Sequence, residues 1–309
     1  MKPSFNKNDR KLVALISEYQ VLTVKQLSAL SQRSLQVIRR RNRAMEMEGL
    51  LVTKMQGYGY GRGPGRPEEV VFLTEKGEAL LGNERSKSMG KVDPFTDHHL
   101  LVNWFRIHLL QIERSIPELS VKYLDSKLQS KVWNSVGSSS APEHDPANKR
   151  GEKSGEFIPD GVFSITNKEA EKKTLLFFLE VDMGTETIAS QDRRPNDIRQ
   201  KILNYQTLFR SNEYKRYESL FDFRLNGFRL LFLVNSPARL ISLCRLVREM
   251  PPSDFIWLTE QQLMFSHGIS ARIWARGGRN EDLPQSILGP ELACELPLLE
   301  ISDNLLINE

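Results

Sequence analysis

The segment Thr174–Asp182 (TLLFFLEVD) constrains the fold more than any other stretch of this chain. A near-continuous apolar run of this length predicts a strand buried on both faces, and such strands lie at the centre of α/β sheets. Its last residues include Glu180 and Asp182, which alternation places on one face with Val181 opposite. A carboxylate ending so apolar a strand is costly to bury without a partner. The segment therefore predicts a layered architecture and the place where chemistry would collect.

The pattern on either side is consistent with a mixed α/β core. Residues 97–114 repeat Leu100, Leu101, Trp104, Phe105, His108, Leu109 and Ile112 at helical spacing, and 119–124 read as a short strand. A strand over 157–165 surrounds the turn-like Pro159-Asp160-Gly161. A helix over 192–211 presents Ile198, Ile202, Tyr205, Leu208 and Phe209 on one face. The segment FRLLFLV at 228–234 is a second buried strand, followed by a helix over 238–250 and a last strand at 255–258. Residues 126–156, rich in Ser, Gly, Pro and charge, are expected to form a disordered insertion. Residues 276–309 are expected to be a C-terminal tail, and no internal repeat is visible. The order helix, three strands, helix, strand, helix, strand is that of the restriction-endonuclease-like, or PD-(D/E)XK, fold.

The N-terminal third has a different character. Net charge is +4 overall, but residues 1–91 carry 17 Lys/Arg against 9 Asp/Glu, while 92–309 carry 26 against 30. A basic first third on a mildly acidic remainder points to a polyanionic partner, the alternative being a solvated basic surface. Leu12, Leu15, Ile16 and Tyr19 define a first helix that Asn8 or Asp9 can cap, and Thr23 caps a second. A third helix starts near Ser34, buries Leu35, Ile38 and Met45, and ends at Gly49. It carries Gln36, Arg39, Arg40, Arg41, Asn42 and Arg43 on its remaining faces, the side-chain chemistry that major-groove reading and phosphate contact require. Two strands, at 50–54 and 69–73, flank GYGYGRGPGRP at 57–67, where Arg62 and Arg66 supply charge and Tyr58 and Tyr60 can lie against sugars. Thr74 caps a further helix. The order resembles winged helix-turn-helix domains that bind DNA; the alternative is a winged helix used for protein contacts.

With 309 residues the chain has room for about two domains. The expected division is a winged helix-turn-helix at 1–85, a linker at 86–96, a nuclease-like domain at 97–275 and the tail. No stretch reaches the roughly 18 apolar residues of a membrane span. The first residues lack a secretory signal's apolar core. Cys244 and Cys294 are too few for a disulfide framework or a thiolate zinc site, and neither has a partner suited to a nucleophile. A cytoplasmic location is expected.

The acidic residues are the sharpest chemical signal. Asp160, Glu180 and Asp182 converging at one sheet edge would repel one another unless a cation lay between them. Mg2+, a hard ion that takes oxygen ligands and keeps waters, suits such a set, with all three as ligands. The nuclease pattern wants a lysine two residues after the glutamate, where this chain has Asp182; Lys201, on the following helix, can supply the ammonium instead. The alternative makes Asp160 a turn residue and pairs Glu180 and Asp182 with Arg193, Arg199 or Lys201. The triplet Asp97-His98-His99 mimics a phosphoesterase metal motif but opens a helix, so Asp97 reads as a cap.

FIPDGVFSI (157–165), FFLEVDMGTET (177–187) and IRQKILNYQ (198–206) resemble the replication-relaxation family of bacterial plasmids and mobile elements. The resemblance covers about residues 8–235. It implies a winged helix joined to a nuclease-like domain, with DNA binding in plasmid replication or relaxation of supercoiled DNA. By the match, Asp160, Glu180, Asp182 and Lys201 form the site, and Gly184-Thr185 shape the loop beside it. The leading expectation is a double-stranded-DNA-binding protein whose nuclease-like domain acts on, or only grips, the backbone, and which, if active, is a magnesium-dependent endonuclease or nickase. The rival is a replication or transcription regulator with a degenerate nuclease fold. A homodimer or mobile-element protein partners would complete the assembly, and no membrane is involved.

Overall fold

The computed structural model describes residues 5–56, 68–82, 96–124, 158–169, 173–188 and 197–298. The expected linker, except Thr96, and the expected insertion, like Arg62 and Arg66, lie outside the described residues. The chain divides into two units, Met1–His108 with Pro297–Glu309, and Leu109–Leu296.

In the first unit α1 (Lys7–Tyr19), β1 (Val21–Thr23), α2 (Val24–Ser31) and α3 (Leu35–Met47) precede β2 (Leu51–Gln56), β3 (Glu68–Leu73) and α4 (Glu75–Ala79). The cap of α1 is Asn6 rather than Asn8 or Asp9. Its side chain accepts the N–H groups of Asn8 and Asp9, while Asp9 accepts the Asn6 N–H at 2.8 Å. Thr23 caps α2 in the same reciprocal way with Gln26. Gln32 takes a left-handed conformation that turns the chain, and Ser34 caps α3. Gly49, at φ +70°, ends that helix in the conformation glycine adopts most easily. The strands form an antiparallel sheet in the order β1-β3-β2, with Val21 opposite Phe72 and Val52 opposite Phe72 on the other side. β1 has only three residues, too few for periodicity to show.

Helix α5 (Thr96–Ser115) starts one residue before Asp97, so Asp97 sits inside its first turn rather than capping it. The Asn103 amide donates to the carbonyls of Tyr19 (3.1 Å) and Val21 (2.7 Å). Gln26 donates to Leu100 O at 2.8 Å, and the Arg106 guanidinium lies 3.8 Å from the centre of the Tyr19 ring. The Asn103 amide thereby satisfies the Val21 carbonyl on β1, an edge strand of this sheet among the described residues.

The second unit contains β4 (Leu119–Tyr123), β5 (Gly161–Asn167), β6 (Thr174–Asp182), α6 (Ile198–Arg210), a 3-10 turn (Glu213–Tyr217) and α7 (Glu218–Phe221). β7 (Phe228–Val234), α8 (Pro237–Arg248), β8 (Ile256–Glu260), α9 (Gln261–His267) and β9 (Ala275–Arg276) follow. They build one six-stranded mixed sheet in sequence order. β4, β5 and β6 are an antiparallel meander; β7 and β8 run parallel to β6, and β9 closes the row antiparallel. β6 is central, and its last seven residues are buried. One sheet face holds Phe178 edge-on to Phe228 at 4.8 Å, under Tyr205 of α6. The other stacks Phe163 on Phe177 at 4.9 Å and sets Arg229 4.4 Å from the Trp257 ring.

The segment expected as a tail is packed through Leu298. Trp274 and Gln285 bridge antiparallel, Arg229 donates to Ile287 O at 2.7 Å, Ser286 to Ser270 O at 2.6 Å, and Leu296 N to His267 O at 2.8 Å. Scattered hydrogen bonds, ion pairs such as Arg248–Glu281 and the buried Ile287 hold it, and these leave no hydrophobic period. Helix α9 was also unforeseen: its cap is Glu260, which accepts the N–H groups of Gln262 and Leu263 at 2.8 and 3.0 Å.

His108 is fully buried in α5, and burial pushes its imidazole down to about 3 from 6.5. The unfolded chain therefore binds a proton that the folded chain refuses between those values, and stability falls as pH drops through that window. The loss is roughly 1.4 kcal/mol per pH unit. Urea unfolding of wild type and His108→Gln at stepped pH should show a shallower acid slope for the variant; equal slopes would exclude His108 as the cause.

Candidate functional site

The carboxylates stand where β5 begins and β6 ends. Gly161 pairs with Leu179, so Asp160 and Glu180 lie one position beyond on neighbouring strands. Asp160 is partly buried; its Oδ2 accepts the Val181 N–H at 2.8 Å, and its carbonyl accepts the Tyr123 hydroxyl at 3.2 Å. Glu180 is 2% exposed. Tyr205 donates to its Oε1 at 2.6 Å, and Lys201 to its Oε2 at 3.1 Å. Lys201 and Tyr205 are four residues apart, one turn along α6, and the buried stripe of Ile198, Ile202 and Leu208 aims both at the sheet. Lys201 also reaches Glu186 at 2.9 Å, in the loop after β6.

Burial pushes the Glu180 carboxyl up to about 7; Lys201 opposes this and Asp160 adds to it. Burial works to lower the Lys201 ammonium, but Glu180 and Glu186 more than reverse that, and it is held above its ordinary value. Burial, then Glu180, raises the Tyr205 phenol well above its usual range. We take the protonated lysine as the anchor, because two carboxylates contact it at hydrogen-bond distance.

Asp182 departs from expectation. Its Oδ1 accepts the Gly184 N–H at 2.8 Å, and its Oδ2 accepts Nε of Arg239, from the first turn of α8. Arg239 continues to the Glu186 carbonyl at 2.6 Å, and Asn235 donates to Met183 O at 2.6 Å. Gly184 has φ +77° and lies against the Asn235 side chain, which shapes the turn. Thr185 is exposed on the same loop. Asp182 thus holds the loop to α8 and is not a third member of a cation-binding set. The partners foreseen for it were Arg193, Arg199 and Lys201; Arg199 is exposed, Arg193 lies outside the described residues, and Lys201 serves Glu180.

The carboxylates at this sheet end already accept protein donors. Each oxygen of Glu180 and each of Asp182 accepts a hydrogen bond, and the Lys201 ammonium bridges Glu180 and Glu186. Among the described residues no three His, Cys, Asp or Glu side chains form a group that could hold a metal. Glu186 and Arg239, which complete the network, were not singled out from sequence. The glutamate sits in the quoted Gly-Thr-Glu run, while the arginine is 57 residues from Asp182 and has no local cue. Cys244 is buried, its thiol pushed up to about 11 by burial, and so is unsuited to nucleophilic work.

The basic face of α3 lies in the first unit. Gln36, Arg39, Arg40 and Arg43 are exposed, and with Arg41, Ala44 and Met47 they line a groove of about 610 Å³. Arg41 is a correction. Its guanidinium turns inward to Asp9, which is 0% exposed, with Nε donating to Oδ1 at 2.6 Å and an Nη donating to Oδ2. Asn42, read as outward, is buried beside Ile38 and Met45. Arg39 is held by Glu69 of β3 at 2.9 Å.

A mixed α/β unit with a buried carboxylate–lysine–tyrosine network, preceded by a small basic helical unit, defines the class of protein. The replication-relaxation family matches residues 13–223, more than half of the chain, and the chain belongs to that family. Membership gives it a role related to replication or relaxation. A search of curated proteins found no match to it. Among the described residues no helix is long and apolar enough to cross a membrane.

Removing one partner of a buried ion pair leaves the other charge uncompensated, a loss of about 3–5 kcal/mol. Arg239→Ala should cost about that much in urea unfolding, and Arg239→Ala with Asp182→Ala should recover part of it. Additive losses would show that the two do not act as a pair.

Proposed function

We propose that this protein binds double-stranded DNA in the course of replication or relaxation, gripping the duplex without cutting it. The first unit reads as a winged helix: α2, a left-handed turn at Gln32, α3, and the β2–β3 hairpin follow in the order such domains use. The second reads as a nuclease-like core, because the β4–β5–β6 meander, the α6 crossover and parallel β7 reproduce its order. Fold alone does not decide activity. The closed carboxylate centre carries the reading: each Glu180 oxygen already has a protein donor. A phosphodiester-hydrolysing site needs carboxylate oxygens open to a cation and water.

A second reading is the magnesium-dependent endonuclease or nickase. The observation favouring it is that Asp160, Glu180 and Lys201 meet, with the lysine coming from the helix rather than from the strand.

Supercoiled plasmid incubated with protein and Mg2+ or Mn2+, beside Asp160→Ala and Glu180→Ala, separates the two. No nicking by wild type, together with tight duplex binding that weakens steeply with salt, is the expected result. Nicking that disappears in both variants would replace it with the nuclease reading.

A further inference from the structure

The exposed side chains of α3 are sorted by angle. At 3.6 residues per turn, Gln36, Arg40, Arg43 and Met47 fall on one narrow stripe, opposite the buried Ile38 and Met45. Arg41 lies toward α1 and is consumed by Asp9. Arg39 lies to one side of the stripe, where Glu69 holds it against the hairpin strand. Gln36, Arg40 and Arg43 make no ion pair among the described residues. Met47 is 84% exposed at the far end. The groove they line is walled by α3 alone, so the face has no protein occupant among the described residues. Two exposed guanidinium groups, Arg40 and Arg43, with no carboxylate on the stripe complement a polyanion.

We propose that Arg40 and Gln36 are the specificity-determining residues of this protein, Arg40 reading a guanine and Gln36 an adenine in the major groove. This rests on the duplex-binding reading above. Both sit in the first two turns of α3, the part of a recognition helix that reaches base edges. A guanidinium matches guanine O6 and N7 with two hydrogen bonds, and a primary amide matches adenine N6 and N7 in the same way. Arg43, about 10 Å further along the axis than Gln36, and Arg39, steered sideways by Glu69, meet phosphates instead. Of the arginines that the sequence places on this helix, one therefore reads, two position, and one holds the fold.

The test is selection of bound duplexes from a randomised double-stranded library by the full-length protein, followed by affinity measurement on the recovered sequence and on a scrambled duplex. Arg40→Lys keeps the charge but loses the two-pronged geometry. It should reduce the preference for the recovered sequence by roughly 5- to 100-fold and leave scrambled-duplex binding nearly intact. Gln36→Ala should relax the adenine position alone. Arg43→Ala should weaken both duplexes to the same degree and flatten the salt dependence. Unaltered base preference in Arg40→Lys and Gln36→Ala, or equal wild-type binding to every sequence, overturns the assignment while duplex binding stands. A wild type that binds no duplex at all overturns the duplex-binding reading itself.

Discussion

The second unit depends on how the charge of Glu180 is compensated at the end of its most buried strand. With 2% of its surface exposed, this carboxylate cannot rely on water. Tyr205 and Lys201 approach it from one face of α6, so the helix that covers the sheet also supplies the neutralising groups. That requirement sets the rotation of α6 about its axis. The same rotation buries Ile202 and Leu208 and brings Tyr205 onto Phe178. Asp182 repeats the solution with Arg239, and thereby fixes the loop between β6 and α6 and the start of α8. A buried charge network of this kind specifies geometry more than it adds stability.

The first unit uses an ion pair to a similar end. Asp9 closes the capping box of α1 and at the same time receives the Arg41 guanidinium from α3. One carboxylate thus ends one helix and orients another. With Arg41 drawn inward, the opposite side of α3 presents Gln36, Arg40 and Arg43 together. The contact joins α1 to α3 on the side of α3 away from that stripe.

Much of this was legible in the chain. The strand Thr174–Asp182 was readable to the residue, because an apolar run ended by carboxylates has no other stable place than the middle of a sheet. The Thr23 and Ser34 caps, the Gly49 stop and the β2–β3 pair follow from local chemistry that acts over a few residues. The meeting of Lys201 with Glu180 was expected from the resemblance to nuclease-like domains that take the lysine from the following helix. The pairing of Asp182 with Arg239 was not legible, because a charge partner 57 residues away leaves no periodic trace. The packed segment from Gly277 to Leu296 was missed for a related reason: it is held by scattered hydrogen bonds, ion pairs and the buried Ile287, and those have no period.

By itself, then, the amino-acid order determined most of the elements and the central strand that ends in carboxylates. Those properties come from burial and spacing along the chain. Tertiary structure alone decided which charges meet which: that Asp182 pairs with Arg239, that Arg41 pairs with Asp9, and that Glu180 meets Tyr205 and Lys201. Hydrophobic periodicity is one-dimensional and survives in the sequence, whereas the compensation of a buried charge depends on which side chain arrives within about 3 Å, and only the folded chain sets that distance.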